Sequence, residues 1–194
     1  MVEYFMDENV FVSRAGIKLQ HAIEEFQLDL SGRVCADFGC STGGFTDCLL
    51  KNGADKVYSV DTAYGELDYG LRKNSKVVVL ERHNAMHVQL PEKVDLITID
   101  VAWTKQEKVI PNAISNLKSH GIILTLVKPH YEAKREELSR GIAKPEGIPG
   151  ILKRTEELFE RQGLKIANKT KSPITGKRAG NEEWVYLLNI NVKK

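Results

Sequence analysis

The sequence predicts an α/β fold in which helices flank a mostly parallel sheet of seven strands. Short apolar runs alternate with longer amphipathic segments along all 194 residues, and this alternation is typical of consecutive βα units. The composition, 42% hydrophobic and 28% charged, is that of an ordinary globular protein. Polar residues directly follow several apolar runs, as expected where ligands bind at the carboxyl ends of parallel strands.

Seven apolar runs are predicted strands, at residues 33–38, 57–60, 77–80, 94–99, 121–127, 164–167 and 184–190. Before the first strand, Ser13 is placed to cap a helix that runs through Lys18, Leu19 and Ile23. Later helices are predicted at residues 45–52, 66–72, 106–118, 132–139 and 150–162. The segment 141–150 is rich in glycine and proline and is predicted to be a loop.

We expect residues 1–194 to form a single domain, with an N-terminal extension at residues 1–12 and a basic loop region at residues 162–181. No apolar run approaches the roughly 18 residues that a membrane span needs. The N-terminus is acidic and aromatic, unlike a signal peptide, so the protein is predicted to be cytoplasmic with no membrane partner. Cys35, Cys40 and Cys48 lack metal-ligand spacing, which predicts buried thiols and no metal site.

The formal charge of +2 conceals an uneven distribution. Residues 1–117 carry 12 Lys and Arg against 17 Asp and Glu, a net −5, whereas residues 118–194 carry 16 against 9, a net +7. Such asymmetry indicates a face that meets a polyanion such as nucleic acid. Candidate contacts in the basic loop region are Lys169, Lys171, Lys177 and Arg178.

An apolar strand, a glycine-rich turn and a helix start follow one another from residue 34 to residue 45. Glycines let the backbone approach a ligand closely, so this segment predicts a nucleotide site. Its pattern is D-x-G-x-S-x-G-G rather than G-x-G-x-x-G, and a leading acid repels a pyrophosphate but suits the cationic methionine part of S-adenosylmethionine. The predicted cofactor-binding residues in the turn are Asp37, Gly39, Ser41, Thr42, Gly43 and Gly44.

Two further polar residues follow the next strands. Asp61 is placed to accept hydrogen bonds from both hydroxyls of a ribose, and Asn84 to contact the adenine edge. Taken singly, each is equally well explained as a loop-capping residue. Taken together with the turn, they predict an adenosine-bearing cofactor, with S-adenosylmethionine favoured over NAD.

Charged residues also end the strands at 94–99 and 121–127. Asp100 follows the first and Lys128 follows the second. A lysine that closes an apolar strand must be paired or have its pKa shifted. Two explanations for Asp100 and Lys128 remain open at this point: an ion pair that fixes neighbouring strands, or a catalytic role.

Four segments together resemble the FtsJ-like RNA 2′-O-ribose methyltransferases, most closely the TlyA (hemolysin A) branch. They are the SRAGIKL run from Ser13 to Leu19, the Asp100 strand end, the Lys128-Pro129 strand end and the GNEEW run from Gly180 to Trp184. The glycine-rich turn shares the branch's G-x-S-T-G-G-F-T-D-C-L-L form. The resemblance covers the chain from about Val12 to Asn191 and implies a Rossmann-like, S-adenosylmethionine-dependent methyltransferase fold.

The resemblance implies a catalytic tetrad at Lys18, Asp100, Lys128 and Glu183, with Asp100 also lining the cofactor. Glu182 is the alternative fourth member, but strand alternation places it on the opposite face from Glu183. Mutual repulsion between the two lysines is expected to leave Lys128 neutral as a general base, while Lys18 stabilises the developing alkoxide. The implied substrate is RNA, most simply ribosomal RNA, with Arg14 and Trp103 as further contacts.

Trp103 stands where the branch usually has Phe, within Val101-Ala102-Trp103 in place of Val-Ser-Phe, and either base stacking or core packing explains it. The branch also carries a small RNA-binding domain in front, which twelve residues before Ser13 cannot hold. A homodimer or an accessory RNA-binding protein is therefore an expected partner. The alternative functions are a hemolysin-like membrane-active protein, a non-catalytic protein that binds S-adenosylmethionine and RNA, and a small-molecule methyltransferase.

Overall fold

The computed structural model describes residues 10–176 and 181–191. Its strands are β1 (Val34–Phe38), β2 (Lys56–Asp61), β3 (Val77–Glu81), β4 (Val94–Ile99), β5 (Leu117–Val127), β6 (Leu138–Ser139), β7 (Ile142–Ala143), β8 (Leu164–Lys171) and β9 (Trp184–Ile190). Its α-helices are α1 (Ala15–Glu25), α2 (Gly44–Lys51), α3 (Tyr69–Lys73), α4 (Gln106–Asn116), α5 (Pro129–Glu132) and α6 (Ile148–Arg161).

Seven strands form one sheet in the order β3-β2-β1-β4-β5-β9-β8, and β6 and β7 form a separate two-stranded hairpin. Strands β1 to β5 are parallel, whereas β9 runs antiparallel to both β5 and β8. The chain moves from β1 to β2 and β3 in one direction, then returns to place β4 on the other side of β1. This reversal opens a crevice at the carboxyl ends of β1 and β4, where ligands bind in doubly wound sheets.

Both faces of the sheet are covered. Helices α1 and α2 bury Leu19 and Leu49 against one face, and α4 and α6 bury Ile110 and Phe159 against the other. Within β4, Leu96 packs on the face covered by α1 and α2, and its neighbour Ile97 packs on the face covered by α4 and α6. Neighbouring residues of a strand point to opposite faces, so this alternation is expected. Burial on both sides explains why the strands are almost continuously apolar.

All seven predicted strands are present, but the helix predicted at residues 132–139 is wrong. Helix α5 ends at Glu132, and a 3-10 turn at Arg135–Glu137 leads into the β6–β7 hairpin. The Glu137 carboxylate accepts the Lys134 N–H at 2.7 Å and is bound by Arg154 Nη2 at 2.6 Å. These contacts fix the turn and end any helical course before Leu138.

Three other element boundaries differ from the prediction. The residue before α1 is Arg14, which makes no side-chain cap, so Ser13 is not the capping residue. Helix α3 begins later than expected because Asp68 Oδ1 accepts the Gly70 N–H at 2.7 Å and caps it there. Strand β8 extends to Lys171, so much of the predicted basic loop region is sheet. No described helix is long and apolar enough to cross a membrane.

Candidate active site

A cleft of about 500 Å³ lies at the carboxyl ends of β1, β4 and β5. It is bounded by the start of α1, the turn after β1, the loops after β4 and β5, the β6–β7 hairpin and the segment before β9. Nine of the sequence-predicted site residues line it: Arg14, Lys18, Gly39, Ser41, Thr42, Asp100, Trp103, Lys128 and Glu183.

The turn after β1 lies directly against the end of β4. Gly39 has φ +88°, and a Cβ there would lie 2.7 Å from the carbonyl oxygen of Asp100. Only glycine fits this close approach. Ser41, itself at φ +48° and exposed, donates its N–H to Asp61 Oδ2 at 2.8 Å. The turn is thus held between β2 and β4 with its backbone at the cleft.

Gly43 and Gly44 belong to the packing behind this turn. A Cβ on Gly44 would lie 2.2 Å from Ser13 Oγ and 2.9 Å from the Gly16 nitrogen, so Gly44 lets α2 approach the start of α1. Gly43 precedes α2 with φ +101° and is buried beside Leu71. Neither glycine lines the cleft.

Asp37 lies beneath the turn and is fully buried. Its carboxylate accepts hydrogen bonds from Thr46 Oγ1 at 2.8 Å and Thr98 Oγ1 at 3.1 Å. Burial raises the pKa of Asp37 to about 7, although both hydroxyls oppose the shift. Asp37 therefore joins β1, α2 and β4 below the cleft and does not line it.

The polar residues after β2 and β3 make loop-capping contacts. Asp61 accepts the Ala63 N–H at 2.9 Å through Oδ1 in addition to the Ser41 N–H. Asn84 is exposed, and its Oδ1 accepts the Met86 N–H at 2.9 Å. Asp61 ends β2 and Asn84 follows β3, two strands whose carboxyl ends face the crevice, but neither residue lines the cleft.

Two ion pairs bring the four tetrad candidates together in the cleft. Lys18 Nζ bonds Glu183 Oε2, with only 8% and 4% of the two side chains exposed. Lys128 Nζ lies 2.5 Å from Asp100 Oδ1, and these side chains are 12% and 17% exposed. Glu182 instead bonds Lys171 Nζ at 2.6 Å. The structure therefore places Glu183, and not Glu182, with the other three residues.

The pKa of Lys128 differs from the sequence-based expectation. Burial lowers it, but the adjacent Asp100 carboxylate more than offsets burial by charge and by hydrogen bonding, and Glu183 adds to this effect. The pKa of Lys128 thus lies above its ordinary value, so the resting side chain is an ammonium. Mutual repulsion from Lys18 is not dominant because each lysine has its own carboxylate.

Aromatic side chains stand at the mouth of the cleft beside Lys128. Trp103 is 76% exposed and held at φ +58°, which excludes the core-packing explanation. Its ring centroid lies 5.3 Å from that of Tyr131, whose ring faces Lys128 Nζ at 5.3 Å. His130 lies 4.3 Å from Tyr131. A cluster of three tilted rings, of which Trp103 is the exposed one, therefore adjoins the Lys128–Asp100 pair.

The predicted RNA contacts are distributed unevenly. Arg14 lies at the cleft and donates from Nη2 to the Thr175 carbonyl oxygen at 2.7 Å. Lys169 and Lys171 lie on β8 outside the cleft, paired with Glu156 at 2.7 Å and with Glu182. Lys177 and Arg178 lie outside the described residues.

The sequence reasoning missed several cleft residues. Leu138 and Gly141 of the β6–β7 hairpin line the cleft, as do Gly176 and Asn181 beside Glu183. Gly141, which readily adopts the positive φ of the hairpin turn, was the available signal for the hairpin, whereas Arg140 is not a favoured turn residue. Gly176 had no such signal, since a Cβ there would lie 2.8 Å from Glu183 Oε1, a contact created only by folding.

Among the described residues, no cluster of three or more His, Cys, Asp or Glu side chains could hold a metal ion.

The sheet order and the glycine turn that abuts β4 define an S-adenosylmethionine-dependent methyltransferase. The family model for FtsJ-like methyltransferases matches residues 11–190. The chain belongs to that family, as its sequence motifs predicted.

Curated relatives agree with this assignment. Hemolysin A of Brachyspira hyodysenteriae is 38% identical over 90% of this chain and 75% of its own length. The 16S/23S rRNA (cytidine-2′-O)-methyltransferase TlyA of Mycobacterium tuberculosis is 35% identical over 93% of this chain and 69% of its own length. A solved structure of a candidate hemolysin from Streptococcus thermophilus superposes with a TM-score of 0.91 at 31% identity, covering 95% of this chain and 68% of that one.

Proposed function

We propose that the protein transfers the methyl group of S-adenosylmethionine to a ribose 2′-oxygen of ribosomal RNA, using Lys18, Asp100, Lys128 and Glu183. The observation that carries the proposal is the convergence of two lysine–carboxylate pairs in one cleft beside the glycine turn. The name of the Mycobacterium relative, an rRNA 2′-O-methyltransferase, supports the substrate and the position of methylation.

The residues around the turn suit S-adenosylmethionine. Gly39 lets the turn lie directly against the Asp100 carbonyl at the end of β4, and in that position the turn lines the cleft. When bound, the cofactor supplies an electrophilic methyl group on a sulfonium centre. Residues proposed to hold it at the cleft are Gly39, Ser41, Thr42 and Asp100, with Asp61 and Asn84 at the adenosine end and Asp37, Gly43 and Gly44 supporting the turn from below.

Lys128 is the proposed general base for the 2′-hydroxyl, a poor nucleophile at neutral pH. Because its pKa lies above the ordinary value, the ammonium must first lose its proton, so the neutral amine is a minor form at neutral pH. Asp100 orients Nζ through the 2.5 Å ion pair. Lys18, held by its ion pair with Glu183, lies in the same cleft and stabilises the alkoxide that develops on the ribose oxygen.

The RNA substrate is proposed to bind at the mouth of the cleft and to the basic residues around it. A base stacked on exposed Trp103 gains about 1–3 kcal/mol. Arg14 adds a charge on the same cleft. Lys169 and Lys171 would exchange their carboxylate partners for phosphates, with Lys177 and Arg178 as further proposed contacts.

Methyl mapping tests the proposal. The protein is incubated with methyl-labelled S-adenosylmethionine and separated ribosomal subunits, and the RNA is then hydrolysed with alkali. We expect label in RNA at a linkage that resists alkali, because a 2′-O-methyl group blocks cleavage there. Label on protein, on a small molecule or on an alkali-sensitive nucleotide would overturn the assignment.

A further inference from the structure

The β6–β7 hairpin at the cleft mouth has a strained tip that carries an arginine. Ser139 pairs with Ile142, so Arg140 and Gly141 form a two-residue turn. Their φ angles are +51° and +80°, both positive, which is the pattern of a type I′ turn. Asn or Gly is favoured at the first position of this turn, and an arginine there adopts a conformation that L side chains rarely take.

Nothing in the described structure accounts for that arginine. Arg140 is exposed, and its side chain makes no ion pair or hydrogen bond with any described residue. Two other arginines, by contrast, are ion-paired within the chain: Arg72 with Glu81, and Arg154 with Glu137. A strained position with a free cation indicates a contact outside the chain.

The hairpin holds Arg140 at the cleft mouth. Leu138 of β6 and Gly141 of the turn itself line the same cleft as Lys128. The base of the hairpin is fixed because Glu137 is bound by Arg154 of α6, and the Lys144 N–H donates to the Glu137 carbonyl oxygen at 2.9 Å. A fixed base and a short two-residue turn leave little freedom for the tip.

A second arginine lies on the other side of the sheet. Arg14 precedes α1, which packs with α2 on one face, whereas the hairpin continues into α6 on the opposite face. Arg14 lines the cleft from the α1 side, and the hairpin lines it through Leu138 and Gly141. The reacting pair Lys128–Asp100 lies on the strand ends between those faces.

We infer that the β6–β7 hairpin is a phosphate-binding arm, in which Arg140 contacts the RNA backbone next to the target nucleotide opposite Arg14. The inference rests on the proposed function for its partner, RNA. A guanidinium binds phosphate oxygens in a bidentate manner, and its delocalised charge suits this contact at an exposed tip. A backbone contact positions the substrate without selecting its sequence.

Arg140→Gly is a sharp test because glycine relieves the turn while removing the cation. We expect its melting temperature to equal or exceed that of the wild type. Affinity for a fluorescein-labelled single-stranded oligoribonucleotide should fall about 5- to 10-fold at low salt, and the slope of log affinity against log salt should fall by about 0.7. Affinity for S-adenosylmethionine and the rate at saturating RNA should not change, so the loss appears in KM.

Two matched variants complete the experiment. Arg140→Lys keeps the charge and should retain the wild-type salt slope with an intermediate affinity. Arg161→Ala removes one positive charge at the far end of α6 and should leave RNA affinity unchanged. The inference of a phosphate-binding arm would be overturned if Arg140→Gly and the wild type had equal RNA affinity and equal salt slopes. It would also be overturned if the wild type did not bind RNA. RNA binding that depends on Arg140 without ribose methylation would overturn the proposed function alone.

Discussion

The two ion pairs of the cleft use the same chemistry in different structural settings. Lys18 and Glu183 are 165 residues apart and join helix α1 to the residue that precedes β9, in a setting almost closed to solvent. Lys128 and Asp100 join the ends of two neighbouring parallel strands and are more exposed. The first pair closes the fold around the cleft, and the second presents its charges where the glycine turn meets β4.

Under the proposed mechanism, this difference implies that the first pair contributes to both stability and catalysis, whereas the second acts mainly on the reacting atoms. A buried pair that loses one partner leaves an uncompensated charge, which is strongly destabilising. A more exposed pair loses less because water solvates the remaining charge. Four substitutions test these separate contributions to stability and to activity.

Lys128→Met should have the largest effect, because it removes the proposed general base. We expect the single-turnover rate of methyl transfer to fall about 10²- to 10⁴-fold, with affinity for S-adenosylmethionine within a few-fold of wild type. Lys118→Met is the matched control, since Lys118 lies on β5, the strand that Lys128 follows, and pairs with Asp95 of β4 at 2.8 Å on the surface. Full activity of Lys128→Met would refute the assignment of the base.

Lys18→Met should destabilise the fold as well as reduce activity. It leaves the Glu183 carboxylate buried without its partner, at a cost of about 3–5 kcal/mol in the free energy of unfolding. The double variant Lys18→Met/Glu183→Met removes both charges and should regain much of that stability while remaining inactive. Urea unfolding measures both values. A single variant as stable as the double variant would show that the pair does not hold the fold.

Asp100→Asn should shift the pH dependence of methyl transfer. Asp100 raises the pKa of Lys128, and activity needs the neutral amine, so the wild-type rate should increase with pH through the alkaline range. Without the carboxylate that pKa falls, and the ascending limb of the kcat profile should move to lower pH. A lower rate with an unmoved limb would mean that Asp100 does not act through Lys128.

Asp37→Asn should have the smallest effect, on stability alone. The pKa of Asp37 is raised from 3.8 to about 7, so between these values the folded state holds a proton that the unfolded state has lost. Wild-type stability therefore falls as pH rises through that window. The Asn variant should lack this contribution, which thermal unfolding at a series of pH values would detect. An identical slope in both proteins would show that Asp37 does not titrate there.

The sequence predicted the sheet well because strands buried on both faces are marked by short apolar runs. The family pattern, together with strand alternation that separates the two side chains, favoured Glu183 over Glu182, and the structure has Glu183 with Lys18 and Glu182 with Lys171. The meeting of residues 165 apart depended on family resemblance, since no periodicity encodes it. Sequence spacing alone therefore located each strand end but not the pairing between the first helix and the last strand.

Other features were missed for local reasons. The run at residues 132–139 has charge spacing compatible with a helix, but Glu137 is committed to Lys134 and Arg154 instead. Asp37 was expected at the cofactor, yet its strand position points it at Thr46 and Thr98 inside the fold. In both cases a tertiary contact decided the role of a carboxylate, and such contacts are not visible in a single sequence.

The central claim is that the acceptor is a ribose 2′-oxygen, and one substituted substrate tests it most directly. Once the methylated nucleotide is mapped, an RNA is made with a 2′-deoxynucleotide at that position alone. The claim predicts that this RNA binds with nearly unchanged affinity and accepts no methyl group, because the attacking oxygen is absent. Methyl transfer to the deoxy substrate at the wild-type rate would place the acceptor on the base and contradict the claim.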